Sequence, residues 1–141
     1  MRRGRVKREE RRRLLAQVPL FAGCSEAELG HVVAITAEES FDTGAAVVLE
    51  GEDGWDFFIL VEGEAEVRHA GRRINVMGPG EFFGEIALVA EVPRTATVVA
   101  SSPLLVLTIR AYDFTELLDE QPAIARKVLR ALGERLAASS G

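Results

Sequence analysis

Cysteine and histidine are scarce in this chain of 141 residues, and each scarcity removes a class of chemistry. The single cysteine, Cys24, excludes an internal disulfide and reads by default as a buried or loop thiol. His31 and His69 are the only histidines; one falls on an expected helix and the other at an expected hairpin, so neither has a partner at metal-ligand spacing. That pattern argues against metal-dependent catalysis. No nucleophile elbow, P-loop or paired-cysteine motif stands in its place. No apolar run is long enough to span a bilayer, and the first residues are too basic for the apolar segment of a secretory signal. The expectation is a soluble, cytoplasmic binding protein, not an enzyme, with no catalytic residues, no metal and no cofactor.

What is present is enough for one core. With 48% hydrophobic residues in 141, the chain has the size of one domain, and no second domain is expected. Its net charge of -5 hides an asymmetry: residues 1–13 hold eight basic and two acidic side chains, or +6, and the rest holds nine and twenty, or -11. Residues 1–13 are therefore set apart as a basic N-terminal tail and 14–141 as the domain. The tail has the charge to meet nucleic acid, anionic lipid or an acidic partner surface. It lacks interleaved aromatics and apolar anchors, so a solvated tether or a charged helical extension suits it as well.

Short runs rich in Val, Ile and Phe fill residues 39–77, punctuated by Gly44, Gly51, Gly54, Gly63 and Gly71. They predict an antiparallel roll or barrel with strands at 47–50, 57–61, 64–68 and 72–77 and tight turns at Glu62-Gly63 and Ala70-Gly71. Two further strands are expected at 95–100 and 104–109. Helices flank the roll. Ser25 with Glu28 forms a capping box for a helix over 27–36 carrying Val32, Val33 and Ile35, and a second helix is expected at 111–118. Pro122 then opens a longer helix in which Ile124, Val128, Leu129, Leu132 and Leu136 recur at helical spacing, with Gly133 as a pliable point. The class is mainly β with flanking helices.

Residues 80–98, GEFFGEIALVAEVPRTATV, carry the chemistry. Gly84 permits close backbone approach, and Ile86, Ala87, Leu88 and Val89 suit one helical turn whose first N–H groups can meet an anion. Glu85 can accept from a ribose hydroxyl. Pro93 sets the chain direction, Arg94 offers a planar fork for phosphate oxygens, and Thr95 adds a hydroxyl and a backbone N–H. Taken singly, a glutamate near a helix start and an arginine after proline are ordinary surface features. Their joint spacing, with the glycines in register, is what points to a pocket for a sugar phosphate.

This run resembles the phosphate-binding cassette of the cyclic nucleotide-binding domain family: Gly84, Glu85, Ile86, Ala87, a variable loop 88–92, then Pro93, Arg94, Thr95, Ala96 and Thr97. The resemblance implies a jelly-roll-like β-roll (a double-stranded β-helix) with an N-terminal helix, a short cassette helix and two C-terminal helices. It implies that Glu85 holds the ribose 2′-hydroxyl, and that Arg94 binds the cyclic phosphate with the backbone N–H groups of Ile86, Ala87 and Thr95. The ligand is then cAMP first and cGMP second; in cGMP-selective relatives a threonine after the arginine contacts guanine, and Thr95 holds that place. Trp55 departs from the family, which usually has a small or acidic residue in that turn.

The same resemblance makes the long helix a hinge and lid. Arg135, Ser139 and Ser140 fall where family members reach the base; a helix-end cation and frayed serines are the plain alternative. The expected function is a regulatory sensor in which the bound cyclic nucleotide shifts the C-terminal helix and the helix reports to a partner. That partner is an unidentified effector protein or a missing output domain, since neither a DNA-binding domain nor a membrane span is expected here. A homodimer through the C-terminal helix is left open. The rivals are a ligand-free docking module of the same fold and a cupin-type enzyme.

Overall fold

The computed structural model describes residues 5–90 and 92–140, the side chain of Ser140 excepted. These divide into a β unit over Thr36–Ala111 and a helical unit formed by Val6–Ile35 with the chain from Tyr112 onward.

The β unit holds eight strands: β1 (Thr36–Phe41), β2 (Ala46–Val48), β3 (Phe57–Glu62), β4 (Ala65–His69), β5 (Arg72–Met77), β6 (Phe82–Phe83), β7 (Thr97–Ala100) and β8 (Leu104–Ile109). They form two antiparallel four-stranded sheets, β1-β8-β3-β6 and β2-β7-β4-β5. Phe58, Leu60, Leu104 and Val106 of the first sheet bury themselves with Ala65, Met77, Val98 and Ala100 of the second. Alternation along each strand puts these residues on one face, so one apolar cluster joins the two sheets into the roll. The β3–β4 turn depends on Gly63, at φ +91°, where an added Cβ would lie 2.1 Å from the Pro103 carbonyl oxygen. The β4–β5 turn places both Ala70 (φ 51°) and Gly71 (φ 79°) in the left-handed region, as a two-residue primed hairpin requires.

The expected strands are present with ends shifted by one or two residues: the first spans Ala46–Val48 rather than 47–50, and the strand after the cassette begins at Thr97 rather than 95. Two strands escape sequence reading. β1, TAEESF, carries two glutamates and takes its place through its register with the wholly buried β8, from Thr36 opposite Ile109 to Phe41 opposite Leu104. β6 is only two residues, paired with Phe58 and Ile59 of β3. Trp55 lies in the connection before β3, with its indole N–H buried and without a hydrogen-bond partner.

The helical unit has α1 (Arg8–Ala16), a 3₁₀ turn at Pro19–Phe21, α2 (Glu26–Ala34), α3 (Ala111–Glu120, entering from the last residue of the β unit) and α4 (Pro122–Ser140). α1 runs across the boundary expected at residue 13, so Arg8 to Arg13 are helical and continuous with buried Leu15. α2 keeps the Ser25–Glu28 capping box but stops at Ala34, because Ile35 turns out of the helix and Thr36 enters β1. α4 continues through Gly133 to Ser140. Of its expected stripe, Ile124 and Val128 are buried and Leu132 is half-buried, whereas Leu129 and Leu136 remain 67% and 69% exposed. Phe21 and Phe114 meet edge to face at 6.0 Å within this unit. Cys24 is half-buried, and burial, then Glu28, pushes its thiol above the ordinary value, which lowers its thiolate fraction. Among the described residues no helix is long and apolar enough to cross a membrane.

Glu28 staples this unit. Its Oε1 accepts from the Ser25 N–H at 2.8 Å and from Lys127 of α4. The Lys127 ammonium, and after it the Ser25 N–H, hold the Glu28 carboxyl below the ordinary carboxylate value. A depressed folded-state value means a stabilisation that is complete above the unfolded carboxylate pKa of about 4.3 and is lost as pH falls through the lowered one. Lys127→Met should therefore unfold at lower urea than wild type at pH 7, and the two midpoints should converge towards pH 3. A gap that persists at low pH would remove the ion pair from the account.

Candidate functional site

The residues from Gly84 to Thr95 fold as a close backbone turn, one 3₁₀ turn and a return limb. Gly84 sits at φ +87°, and a Cβ there would come within 2.6 Å of the Asp56 carbonyl oxygen and 2.9 Å of Arg94 Nη1. Only glycine lets the chain pass at that distance. Glu85 follows, 7% exposed, and the 3₁₀ turn Ile86–Leu88 starts behind it. Its first hydrogen bond runs from the Leu88 N–H to the Glu85 carbonyl at 3.3 Å, so the N–H groups of Ile86 and Ala87 precede the ladder and are the donors free by position. The helix expected here is thus a single tight turn.

Arg94 returns from the loop on the other side. Its Nη2 donates to the Asp56 carbonyl at 2.7 Å, its guanidinium carbon lies 5.8 Å from the centre of the Phe58 ring, and its Nε is buried with no hydrogen-bond partner. Burial pushes its pKa below the ordinary arginine value, and the Asp56 charge only partly opposes that. The group is a cation held in place by a carbonyl dipole and an aromatic face, with a donor left over. An anion arriving there gains a desolvated charge and a fixed fork.

Between these limbs lies a cavity of about 500 Å³ lined wholly by residues of the β unit. Gly84, Glu85, Ile86, Ala87, Arg94 and Thr95, the six residues expected to form the site, all line it. Glu85, Arg94 and Thr95 are its only polar side chains among the described residues; valines, Phe82, Phe83, Pro93 and alanines make up the rest. A mostly apolar cleft with a few convergent polar groups is the usual composition of a small-molecule site. Arg135 and Ser139 lie on α4 in the helical unit, both exposed, and the side chain of Ser140 is outside the described residues.

Several working parts were not expected from sequence. The Asp56 carbonyl and the Phe58 ring stand 38 and 36 positions before Arg94 in the chain, and no local pattern links them to it. Val48 and Val67 come from two strands of the second sheet and line the cavity because β7 pairs with both. A β-branched residue in a short strand carries no mark that its outer side faces a ligand.

The sequence profile of the cyclic nucleotide-binding domain matches residues 38–121, and the chain belongs to that family. A putative potassium channel protein of Rhodopseudomonas palustris is 34% identical over 119 residues, covering 82% of this chain and 29% of the channel. The cAMP-dependent protein kinase regulatory subunit of Mycosarcoma maydis is 37% identical over 115 residues, covering 75% of this chain and 22% of the subunit. This chain therefore spans less than a third of either relative. Among solved structures, the N-terminal domain of a transcriptional regulator from Streptomyces coelicolor superposes with a TM-score of 0.83 at 29% identity, covering 89% of this chain and 94% of that one. The roll and the cyclic nucleotide-binding family are thereby established together.

Gly84→Ala tests the close approach. The left-handed conformation and the contact with the Asp56 carbonyl should together cost about 2–3 kcal/mol of unfolding free energy, read from urea denaturation. An unchanged midpoint would mean that the turn is not as tight as described.

Proposed function

We propose that the roll binds a cyclic purine nucleotide, with cAMP favoured over or equal to cGMP, and that the chain works as a cytoplasmic sensor domain without enzymatic activity. The observation that carries this reading is Arg94: a half-buried cation with its Nε unpartnered, in a cavity whose other polar side chains are one buried carboxylate and one threonine. A cyclic phosphate supplies the missing anion. Its exocyclic oxygens suit Arg94 and the N–H groups of Ile86 and Ala87, with Thr95 beside them. Glu85, a buried carboxylate in the cavity wall, is an acceptor that a ribose 2′-hydroxyl can reach as donor. The valine and phenylalanine walls leave the purine to be held by packing, so base selection rests on few polar groups; Thr95 is the one in the wall able to favour guanine.

The signal leaves through α4 in this reading, as a population shift of the helix on binding, with Arg135, Ser139 and Ser140 closing over the base. The exposed Leu129 and Leu136, seven residues apart on α4, offer a surface for an effector protein, an output domain of a longer polypeptide or a second copy of the chain.

Calorimetric titration with cAMP and cGMP is the direct test. Arg94→Ala removes one side of a desolvated charge pair, a loss of about 2–5 kcal/mol, and should weaken binding roughly thirty-fold to a few thousand-fold. Glu85→Ala should weaken binding of ligands with a free 2′-hydroxyl most, so that a 2′-deoxy analogue loses affinity for wild type and little further for the variant. Wild-type affinity in Arg94→Ala would remove Arg94 from the pocket and sink the site assignment, whereas no binding of either nucleotide would leave the chain as a docking module of the same fold.

Hydrogen exchange tests the route of the signal. Ligand should increase protection over residues 126–135, and truncation before Gly133 should weaken binding by a few-fold to about thirty-fold while the roll stays folded. Protection confined to the cassette, with α4 unchanged, would send the signal by another path.

A further inference from the structure

His69 has no role in the cavity wall, yet it touches the limb that carries the phosphate site. Its Nδ1 lies 3.1 Å from the Thr95 carbonyl oxygen and 3.3 Å from Glu50 Oε2. The other carboxylate oxygen, Glu50 Oε1, accepts from the Ala70 N–H at 3.0 Å. Ala70 is the one residue other than glycine at positive φ among the described residues, so the hairpin tip holds a conformation that alanine seldom adopts, and Glu50 bonds to it there. The same segment grips the limb through its backbone: Gly51 N–H donates to the Arg94 carbonyl at 2.8 Å, and Arg94 N–H donates to the Glu52 carbonyl at 3.0 Å. Glu50 N–H reaches Thr97 Oγ1 at 2.9 Å. The main chain of Arg94 and Thr95 is thus tied from behind, on the side away from any ligand, by groups that do not line the cavity.

We propose that Glu50 and His69 are a positioning pair for the phosphate site, fixing the Arg94–Thr95 limb and making nucleotide affinity depend on pH. The proposal rests on the binding reading above. The chemistry follows from the two acceptors facing one nitrogen. With a carbonyl and a carboxylate both directed at Nδ1, that nitrogen must carry the hydrogen, since a lone pair there would oppose both. In neutral imidazole one N–H is shared between Thr95 and Glu50. In imidazolium the same N–H bears a positive charge, the bond to Glu50 becomes an ion pair, and the limb is held more firmly. The added charge also stands behind an anion site, so both effects raise affinity as pH falls. The other charged groups near His69 are Arg72, its register partner on β5, and Arg68, which is engaged by Glu66. Arg94 belongs to the tied limb but directs its guanidinium to the Asp56 carbonyl. Glu50 is therefore the carboxylate that meets the ring among the described residues.

The experiment measures the dissociation constant of the full chain for cAMP between about pH 5.5 and 8, the range in which histidine changes charge. His69 is largely exposed, so the expected change is modest: wild type should bind about two- to five-fold more weakly at the upper end. His69→Asn places an amide donor near the Nδ1 position and cannot titrate; it should keep the affinity wild type shows at pH 8 and lose the slope. His69→Ala should bind more weakly than the asparagine variant at every pH, again without slope, and Glu50→Gln should flatten the profile while binding. A wild-type slope retained in His69→Asn, or wild-type affinity at all pH values in His69→Ala, overturns the proposal and leaves the binding reading standing. No cAMP binding by wild type at any pH overturns both.

Discussion

The hydrogen bond from Arg94 to the Asp56 carbonyl is the contact on which the site depends. It crosses from the return limb of the cassette to the start of β3, and it is made through the space that a side chain at residue 84 would occupy. Glycine at 84, the course of the chain into β3, and the direction of the guanidinium are therefore one constraint. The bond does not neutralise the arginine. A carbonyl dipole orients it, the Phe58 ring supports it, and burial keeps its charge under-compensated. That combination is costly for a purely structural residue and useful for one that meets an anion.

The roll makes this arrangement rigid by placing both ends of the contact on its core. Asp56 is the last residue before β3, and Phe58 belongs at once to the inter-sheet cluster and to the support of Arg94. Phe83, stacked on Phe58 with centroids 5.0 Å apart, ties the cassette's entry to the same cluster and lines the cavity as well. The pocket is in this sense an opening in the side of the hydrophobic core. A cavity-forming change at Phe58 would act on stability and on the position of the guanidinium together, so the two properties are not separable at that residue.

The helical unit is built on different terms. Buried Phe21, Phe114, Ile124 and Val128 give it a core, and Glu28 joins a helix cap to α4 through Lys127. Beyond Val128 the apolar positions of α4 are not fully buried: Leu132 is half-buried, and Leu129 and Leu136 are mostly exposed. A helix anchored at its first turns and exposed along its last ones has few buried contacts to lose if the far end moves.

Local chemistry determined much of this from sequence alone. Period-two apolar runs and glycine turns mark six of the eight strands to within two residues; the capping box marks α2, Pro122 marks α4, and the spacing from Gly84 to Thr95 marks the site, because each acts within a few residues of itself. β1 and β6 were not legible: TAEESF and a pair of phenylalanines become strands only because β8 and β3 offer them partners. α1 stood only as one alternative, a charged helical extension, since a basic run reads as solvated too until Val6 and Leu15 are found buried. In the site, sequence identified six of the residues that line the cavity and missed the groups packed behind them, namely the Asp56 carbonyl, Phe58, Glu50 and His69. The Asp56 carbonyl, Phe58 and His69 meet the Arg94–Thr95 limb across 26 to 38 positions of chain, and tertiary packing alone decides which carbonyl a guanidinium meets and which histidine stands behind it. The physical reason is that a motif records what must touch the ligand, while the scaffold behind it can be met by many residues and leaves no fixed spacing to read.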